Sequence, residues 1–332
     1  MRRKDTKKKI MVLAVLLVGF LFVAGTYAAD VTYFIMGGAG SQGRFYSEVA
    51  FLAKFFTEKM PDVRASGVVT PGVSRGNIAR MQKGEIQAGR LFGDDYWALK
   101  YKKPPYEKGE YDIKAWFKCL RQPIRVIADI DIKSMKDLKG KKVGLGVRGS
   151  GDDTFAWRLL NFYGIKEGDI NAQYVGRNVA QSSFSNHQLD AIILSYTRDN
   201  FQHLGPVFAA RPLGKSSHFL APTMEEAEAF AKEWPCYGVD TFGEPAFEQP
   251  NLVGIYMTTI MAVSGKVSED LVYRMTKLMF TNWDEVLEGL PWLKPDKTGK
   301  LGLTLKNAMD IPGGADFHPG ALRYYKEVGL IQ

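Results

Sequence analysis

The chain is poor in side chains that hold metals or form cross-links. Its 332 residues include two cysteines, Cys119 and Cys236, and four histidines, His187, His203, His218 and His318. None stands at a metal-ligand spacing, so no metal centre is expected. Two cysteines suffice for one disulfide in an oxidising compartment, and two separate buried thiols are the equal alternative. Positive charge is scarce once it is located. The net charge is +8, yet residues 1–29 hold Arg2, Arg3, Lys4, Lys7, Lys8 and Lys9 against Asp5. The remainder carries 38 Lys and Arg against 35 Asp and Glu. Such a body lacks the electrostatic footprint of a nucleic-acid binder. No segment after residue 30 is long and apolar enough to span a bilayer.

What is present begins with an export signal. MRRKDTKKK is a basic segment, followed by the 16 uncharged residues IMVLAVLLVGFLFVAG and then by small residues up to Ala28. This is the build of a signal peptide over residues 1–28. The apolar run is shorter than the roughly 20 residues a membrane anchor prefers, and no cysteine marks a lipoprotein. A periplasmic protein is expected.

The body alternates strand and helix. VTYFIM (31–36), VRASGVV (63–69) and IQAGRLF (86–92) carry the β-branched runs of strands. Between them stand a helix with Phe45, Val49, Leu52, Ala53 and Phe56 on one face, stopped by Pro61, and a shorter one from Ser74, closed by Gly84. A Lys-, Tyr- and Pro-rich connection (100–111) follows. A second series then runs through IRVIADI (124–130), VGLGV (143–147), a helix with Phe155, Leu159 and Leu160, and LDAIILS (189–195). Thr223 and Glu226 form a capping box. LVGIYMTTIMAVS (252–264) reads as a long strand, and Ser268 as the cap of a final long helix. The pattern predicts an α/β fold of two similar sheets joined by long strands, with a cleft between them.

Three motifs compete inside this frame. Gly38-Ala39-Gly40-Ser41-Gln42-Gly43 and Gly144-Leu145-Gly146-Val147-Arg148-Gly149 both fit a dinucleotide fingerprint. However, the second strand lacks the terminal acidic residue such a site uses, so no cofactor is expected. Gly72-Val73-Ser74-Arg75-Gly76 fits a nucleophile elbow. A hydrolase built on Ser74 would also need an oxyanion loop of the H-G-G-G type, which is absent. One physical description covers all three. Each is a strand, a glycine-rich turn and a helix start, which aims unpaired N–H groups and the positive end of a helix dipole outward. Ser41, Ser74 and Ser150 stand at these starts, either as caps or as ligand contacts.

The order Gly40-Ser41-Gln42-Gly43, Thr70-x-Gly72-x-Ser74-x-x-Asn77, Asp137-Leu138-Lys139-Gly140-Lys141-Lys142-Val143 and Gly149-Ser150-Gly151 resembles the TAXI family, the extracytoplasmic solute receptors of TRAP transporters. The ending His318-Pro319-Gly320-Ala321-Leu322-Arg323-Tyr324-Tyr325-Lys326-Glu327 is similar too. The resemblance implies a non-enzymatic, two-domain periplasmic binding protein fold of the type II kind. Residues 30–127 plus 251–332 would form domain I and 128–250 domain II, with a hinge near 125–130 and 251–263. It implies a monomer that carries a small carboxylate or amino-acid-like solute to TRAP membrane subunits. A ligand-sensing partner of a membrane receptor would have the same soluble body.

Carried over by position, Gly40, Ser41, Gln42, Gly43 and Tyr46 would bind from one loop. Gly72, Val73, Ser74 and Asn77 would bind from the second, and Gly149, Ser150 and Gly151 from the opposite domain. Four charged residues depart from the family pattern or join it as candidates. Arg148 and Asp152 flank the third loop, where Arg148 either forks a ligand carboxylate or pairs with Asp152 or Asp153. Arg90, on a buried strand, requires a partner, with the ligand one option. Asp94 either reads a ligand amine or caps a helix.

Overall fold

A computed structural model of the chain describes residues 31–41, 43–196, 204–244, 249–295 and 301–332. The expected signal peptide (1–28) and Gln42 lie outside the described residues. The chain opens with β1 (Thr32–Gly37), α1 (Arg44–Lys59), β2 (Val63–Val68), α2 (Val73–Lys83), β3 (Ala88–Phe92) and α3 (Gly93–Lys100). The strands and the first two helices fall where apolar spacing put them. Gly84 ends α2 in the left-handed region at φ 76°. Helix α3 is not signalled in the sequence, because its short span has apolar residues on every side.

The long strand β4 (Ile113–Asp129) follows. Only its second half was legible, since Lys118, Arg121 and Pro123 make the first half look like surface. In fact Lys118 is buried, with Nζ donating to the Gly302 carbonyl at 3.0 Å. The second series is β5 (Lys142–Gly144), α4 (Gly151–Phe162), β6 (Asn171–Gln173), α5 (Arg177–Ser185), β7 (Ala191–Ser195), α6 (Gly205–Ala210), β8 (Ser217–Phe219), α7 (Met224–Glu233) and β9 (Tyr237–Glu244). Both halves of the Thr223–Glu226 capping box are formed. The return strand β10 (Gln249–Ser264) leads to α8 (Glu269–Thr281), capped by Ser268 as expected. Helix α8 is not the last, because α9 (Trp283–Gly289) and α10 (Pro319–Glu327) follow it.

The expected pair of sheets is a single hydrogen-bonded path, β2-β1-β3-β10-β4-β7-β5-β6, with β8 added to β4 and β9 to β10. The two long strands make it continuous. Strand β4 pairs with β10 from Ile113 to Pro123, then with β7 from Ile124 onward. Strand β10 pairs with β9 up to Met257 and with β3 from Thr259. Separate apolar cores lie on the two halves. One gathers Phe34, Phe56, Trp116 and Tyr325, and the other Phe155, Leu160, Ile193 and Phe230. Cys119 is buried in the first core and Cys236 in the second, both as free thiols. The disulfide alternative therefore falls away.

Asn77 fixes α2 to the first half. It is fully buried, and its Nδ2 donates to the carbonyls of Gly37 (3.2 Å), Gly38 (3.0 Å) and Arg90 (2.9 Å). Gly37 and Gly89 stand opposite each other in the β1–β3 ladder. A Cβ on Gly37 would come within 2.2 Å of the Asn77 amide oxygen, and one on Gly89 within 2.9 Å of Asn77 Cβ. Two glycines thus open the niche that one asparagine fills. Asn77→Ala, which strips buried carbonyls of their donor, should lower folding stability by about 1–3 kcal/mol. Urea denaturation measures this, and an unchanged midpoint would refute the lock.

Candidate functional site

The sheet order places the ends of β2 and β5 on opposite sides of the β10–β4 seam. The turns that follow them, and the helices they start, face each other across a cleft of about 260 Å³. One wall is Gly72, Val73, Ser74 and Arg75 at the start of α2, with Phe92 and Asp95 beside them. The other wall is Val147 to Asp152 at the start of α4, with Thr154. The second and third expected loops are therefore together. Of the first loop, the described residues Gly40, Ser41, Gly43 and Tyr46 are absent from the lining, and Tyr46 packs toward the first core.

The α2 turn is conformationally demanding. Gly72 has φ 80°, and Val73, the first helical residue, has φ 43°. A β-branched residue seldom occupies that region, so the turn is held by its surroundings. Gly76 is part of that support, since a Cβ there would fall 1.9 Å from the Pro71 carbonyl oxygen. The N–H groups of Val73, Ser74 and Arg75 have no acceptor within the helix, and the first turn of α2 contains no acidic residue.

Ser74 is a structural hydroxyl, not the nucleophile of a hydrolase. Its Oγ accepts the Phe92 N–H at 2.8 Å, and its hydroxyl also hydrogen-bonds Asp95. Neither partner is an imidazole that could take its proton. Ser150 is the N-cap of α4, accepting the Asp153 N–H at 3.3 Å. Gly151 is closely packed, because a Cβ there would lie 2.9 Å from the Phe92 ring of the facing wall.

Several expected ligand contacts serve the fold instead. Asn77 is committed to backbone carbonyls, as above, and does not line the cleft. Arg90 is fully buried, and its partners are Glu48 (3.5 Å), Thr259 Oγ1 (2.8 Å) and the Phe45 ring (4.4 Å). Burial raises the Glu48 carboxyl pKa, and the Arg90 guanidinium opposes that rise. Asp94 is buried, with Oδ2 accepting from Arg158 (2.7 Å) and from the Tyr237 hydroxyl (3.0 Å). This triad bridges α3 on one side of the cleft to α4 and β9 on the other. Asp152 pairs with Arg177 (2.9 Å) and accepts the Ser195 N–H (2.9 Å) and hydroxyl (2.6 Å). Arg148 does not pair with Asp152 or Asp153. It lies 3.6 Å from Glu167 and stacks 3.9 Å over Tyr174, at the exposed rim.

Asp95 is the charged lining residue missing from the set of expected contacts, and Arg75, the neighbour of Ser74 in the second motif, lines the same wall. The signal was available: Asp94-Asp95 stands one residue beyond the end of a buried strand, so two consecutive carboxylates sit in the first turn of the next helix. Arg75 Nε is 3.9 Å from Asp95 Oδ1, and Tyr106 Oη is 3.4 Å from the same oxygen. Burial and the neighbouring Asp94 charge push the Asp95 pKa up to about 6. The Ser74 hydrogen bond and the charges of Arg75 and Arg158 oppose that shift.

The fold class is the two-domain α/β periplasmic binding protein fold expected from the sequence. Among solved structures, the chain is similar to XAC2383 from Xanthomonas citri bound to ATP, with a TM-score of 0.54, 12% identity and coverage of 89% of this chain and 95% of that one. The same protein bound to chloride ion gives a TM-score of 0.52 with the same identity and coverage. A weaker likeness, TM-score 0.43 at 14% identity over 79% of each chain, is to the alkanesulfonate-binding protein SsuA from Xanthomonas axonopodis pv. citri bound to MOPS.

The raised Asp95 pKa has a consequence for stability. The folded state holds this proton more tightly than the unfolded chain, so the group's contribution is favourable near its unfolded pKa and is lost as pH rises toward 6. Asp95→Asn should therefore stabilise the protein at about pH 8, by at most about 3 kcal/mol, and by little at about pH 4. Paired urea titrations at the two pH values check this, and equal effects at both would contradict it. By its sequence over residues 36–329, the chain belongs to the NMT1-like family.

Proposed function

We propose that the protein is an extracytoplasmic receptor that captures a small organic anion in the cleft between the starts of α2 and α4. One observation carries this reading: the starts of two helices and the side chain of Arg75 line one cavity of about 260 Å³. That volume is near the lower end of small-molecule sites, roughly 300–1,000 Å³. It suits a metabolite of a few carbons. Helix starts and guanidinium groups are the elements that recognise carboxylates.

In this proposal the TAXI resemblance supplies the finer assignment. The expected leader exports the chain to the periplasm, and the loaded receptor delivers a carboxylate or amino-acid-like solute to TRAP membrane subunits. The domains are residues 30–127 plus 251–332, and 128–250, and they close by bending where β4 and β10 change partners. The changes of partner at Pro123–Ile124 and Met257–Thr259, close to the proposed domain limits, support bending there.

A thermal-shift screen against small carboxylates, sulfonates, amino acids and neutral sugars tests the proposal. A binding anion at a hundred times its Kd should add about 2.7 kcal/mol of stability and raise Tm. Arg75→Ala should reduce the shift. Shifts by neutral sugars alone would exclude an anion receptor.

A further inference from the structure

The two walls of the cleft differ in what they have left to offer a solute. The start of α4 is already answered from within. Gly149 N–H donates to Asp153 Oδ2 at 2.7 Å, and Ser150 Oγ accepts the Asp153 N–H. The Asp152 oxygens are occupied by Ser195 and Arg177. The start of α2 has no such internal carboxylate, so its amides remain the stronger attraction for an anion.

Among the described residues, the cleft lining contains two carboxylates, Asp152 and Asp95. Asp152 is fully engaged. Asp95 is hydrogen-bonded by the Ser74 hydroxyl, with Arg75 Nε at 3.9 Å and Tyr106 Oη at 3.4 Å from Oδ1, and among the described residues no ion pair under 3.9 Å is formed with it. It stands on the same wall as the α2 amides. A plain anion drawn to those amides thus meets a carboxylate beside them. A solute that also carries an N–H donor meets both partners at once.

We propose that Asp95 is the specificity-determining residue of the cleft, admitting anions that carry an adjacent cationic or hydrogen-bond donor group and discriminating against plain anions. This rests on the anion-receptor reading above. The arginines attract both kinds of solute, so they set affinity, while Asp95 sets the difference between the two. The charged and titratable groups facing it are Arg75 from α2, Asp94 on its own helix, Arg158 from α4 and Tyr106 from the loop after α3, with the Ser74 hydroxyl. Their balance, with burial, puts its titration near pH 6. Discrimination is therefore strong above that pH and relaxes below it, where Asp95 carries a proton and can itself donate to an anion.

The test is isothermal titration with matched pairs: taurine against ethanesulfonate, and β-alanine against propionate. Each pair differs by one ammonium group, and both sulfonates stay ionised across the range. At about pH 7.5 the wild type should prefer the amine-bearing member by roughly tenfold or more. In Asp95→Asn that ratio should collapse to within about threefold, mainly because the plain anion gains. Lowering the pH to about 5.5 should strengthen ethanesulfonate binding in the wild type and leave the variant unmoved. Anion binding with a ratio unchanged by Asp95→Asn overturns the role of Asp95 and leaves the receptor intact. Failure of every member to bind either protein overturns the anion-receptor reading, and this inference with it. The variant's urea titration shows separately that it folds.

Discussion

The antiparallel ladder between β4 and β10 is the constraint on which the other features depend. Each strand runs through both halves of the molecule and changes partner near its middle. Backbone hydrogen bonds cannot be left unmade in a buried sheet without a large penalty, so the two halves are joined by a double strand, not by a loop. Along the ladder the register shifts at Thr259/Ile260 and Met261/Ala262. Such irregularities increase local twist and bend the strand. The seam therefore fixes where the halves meet.

Closer to the cleft, side chains set the distance between the walls. The Asp94–Arg158–Tyr237 bridge ties α3 to α4 and β9. Arg158 also lies 4.7 Å over the Trp234 ring, and Trp234 faces Trp97 edge to face. Buried pairs of this kind add little net stability, yet breaking one leaves an uncompensated charge. The bridge thus acts more to specify a geometry than to strengthen it. Its consequence for chemistry is indirect: Asp94 is fixed in place beside Asp95, and its charge helps raise the pKa of that cleft carboxylate.

Ser74 shows how a motif can be read correctly in geometry and wrongly in chemistry. G-x-S-x-G does mark a sharp turn into a helix, and Val73 has the strained backbone. The serine itself holds Phe92 and Asp95 in position. Asn77, four residues from a strained turn, is expected as a contact from its position in the TAXI resemblance. The niche made by Gly37 and Gly89 turned it inward. Arg90 followed the same logic, since a charge on a buried strand does need a partner. The partners it found were Glu48 and Thr259, which are distant in sequence.

The sequence alone determined the alternation of the longer strands and helices, the three glycine-rich helix starts and their place after strands. These depend on local periods, turn residues and caps, which act over a few positions. It also placed the Ser268 cap and the Thr223–Glu226 box. Tertiary structure decided which starts would face each other, that Cys119 and Cys236 would lie in different cores, and which charges would be consumed by the fold. Those outcomes follow from strand order and from pairings across many tens of residues, such as Asp94 with Tyr237. A buried charge states that it needs a partner, but the chain's path in space selects that partner from among many similar side chains.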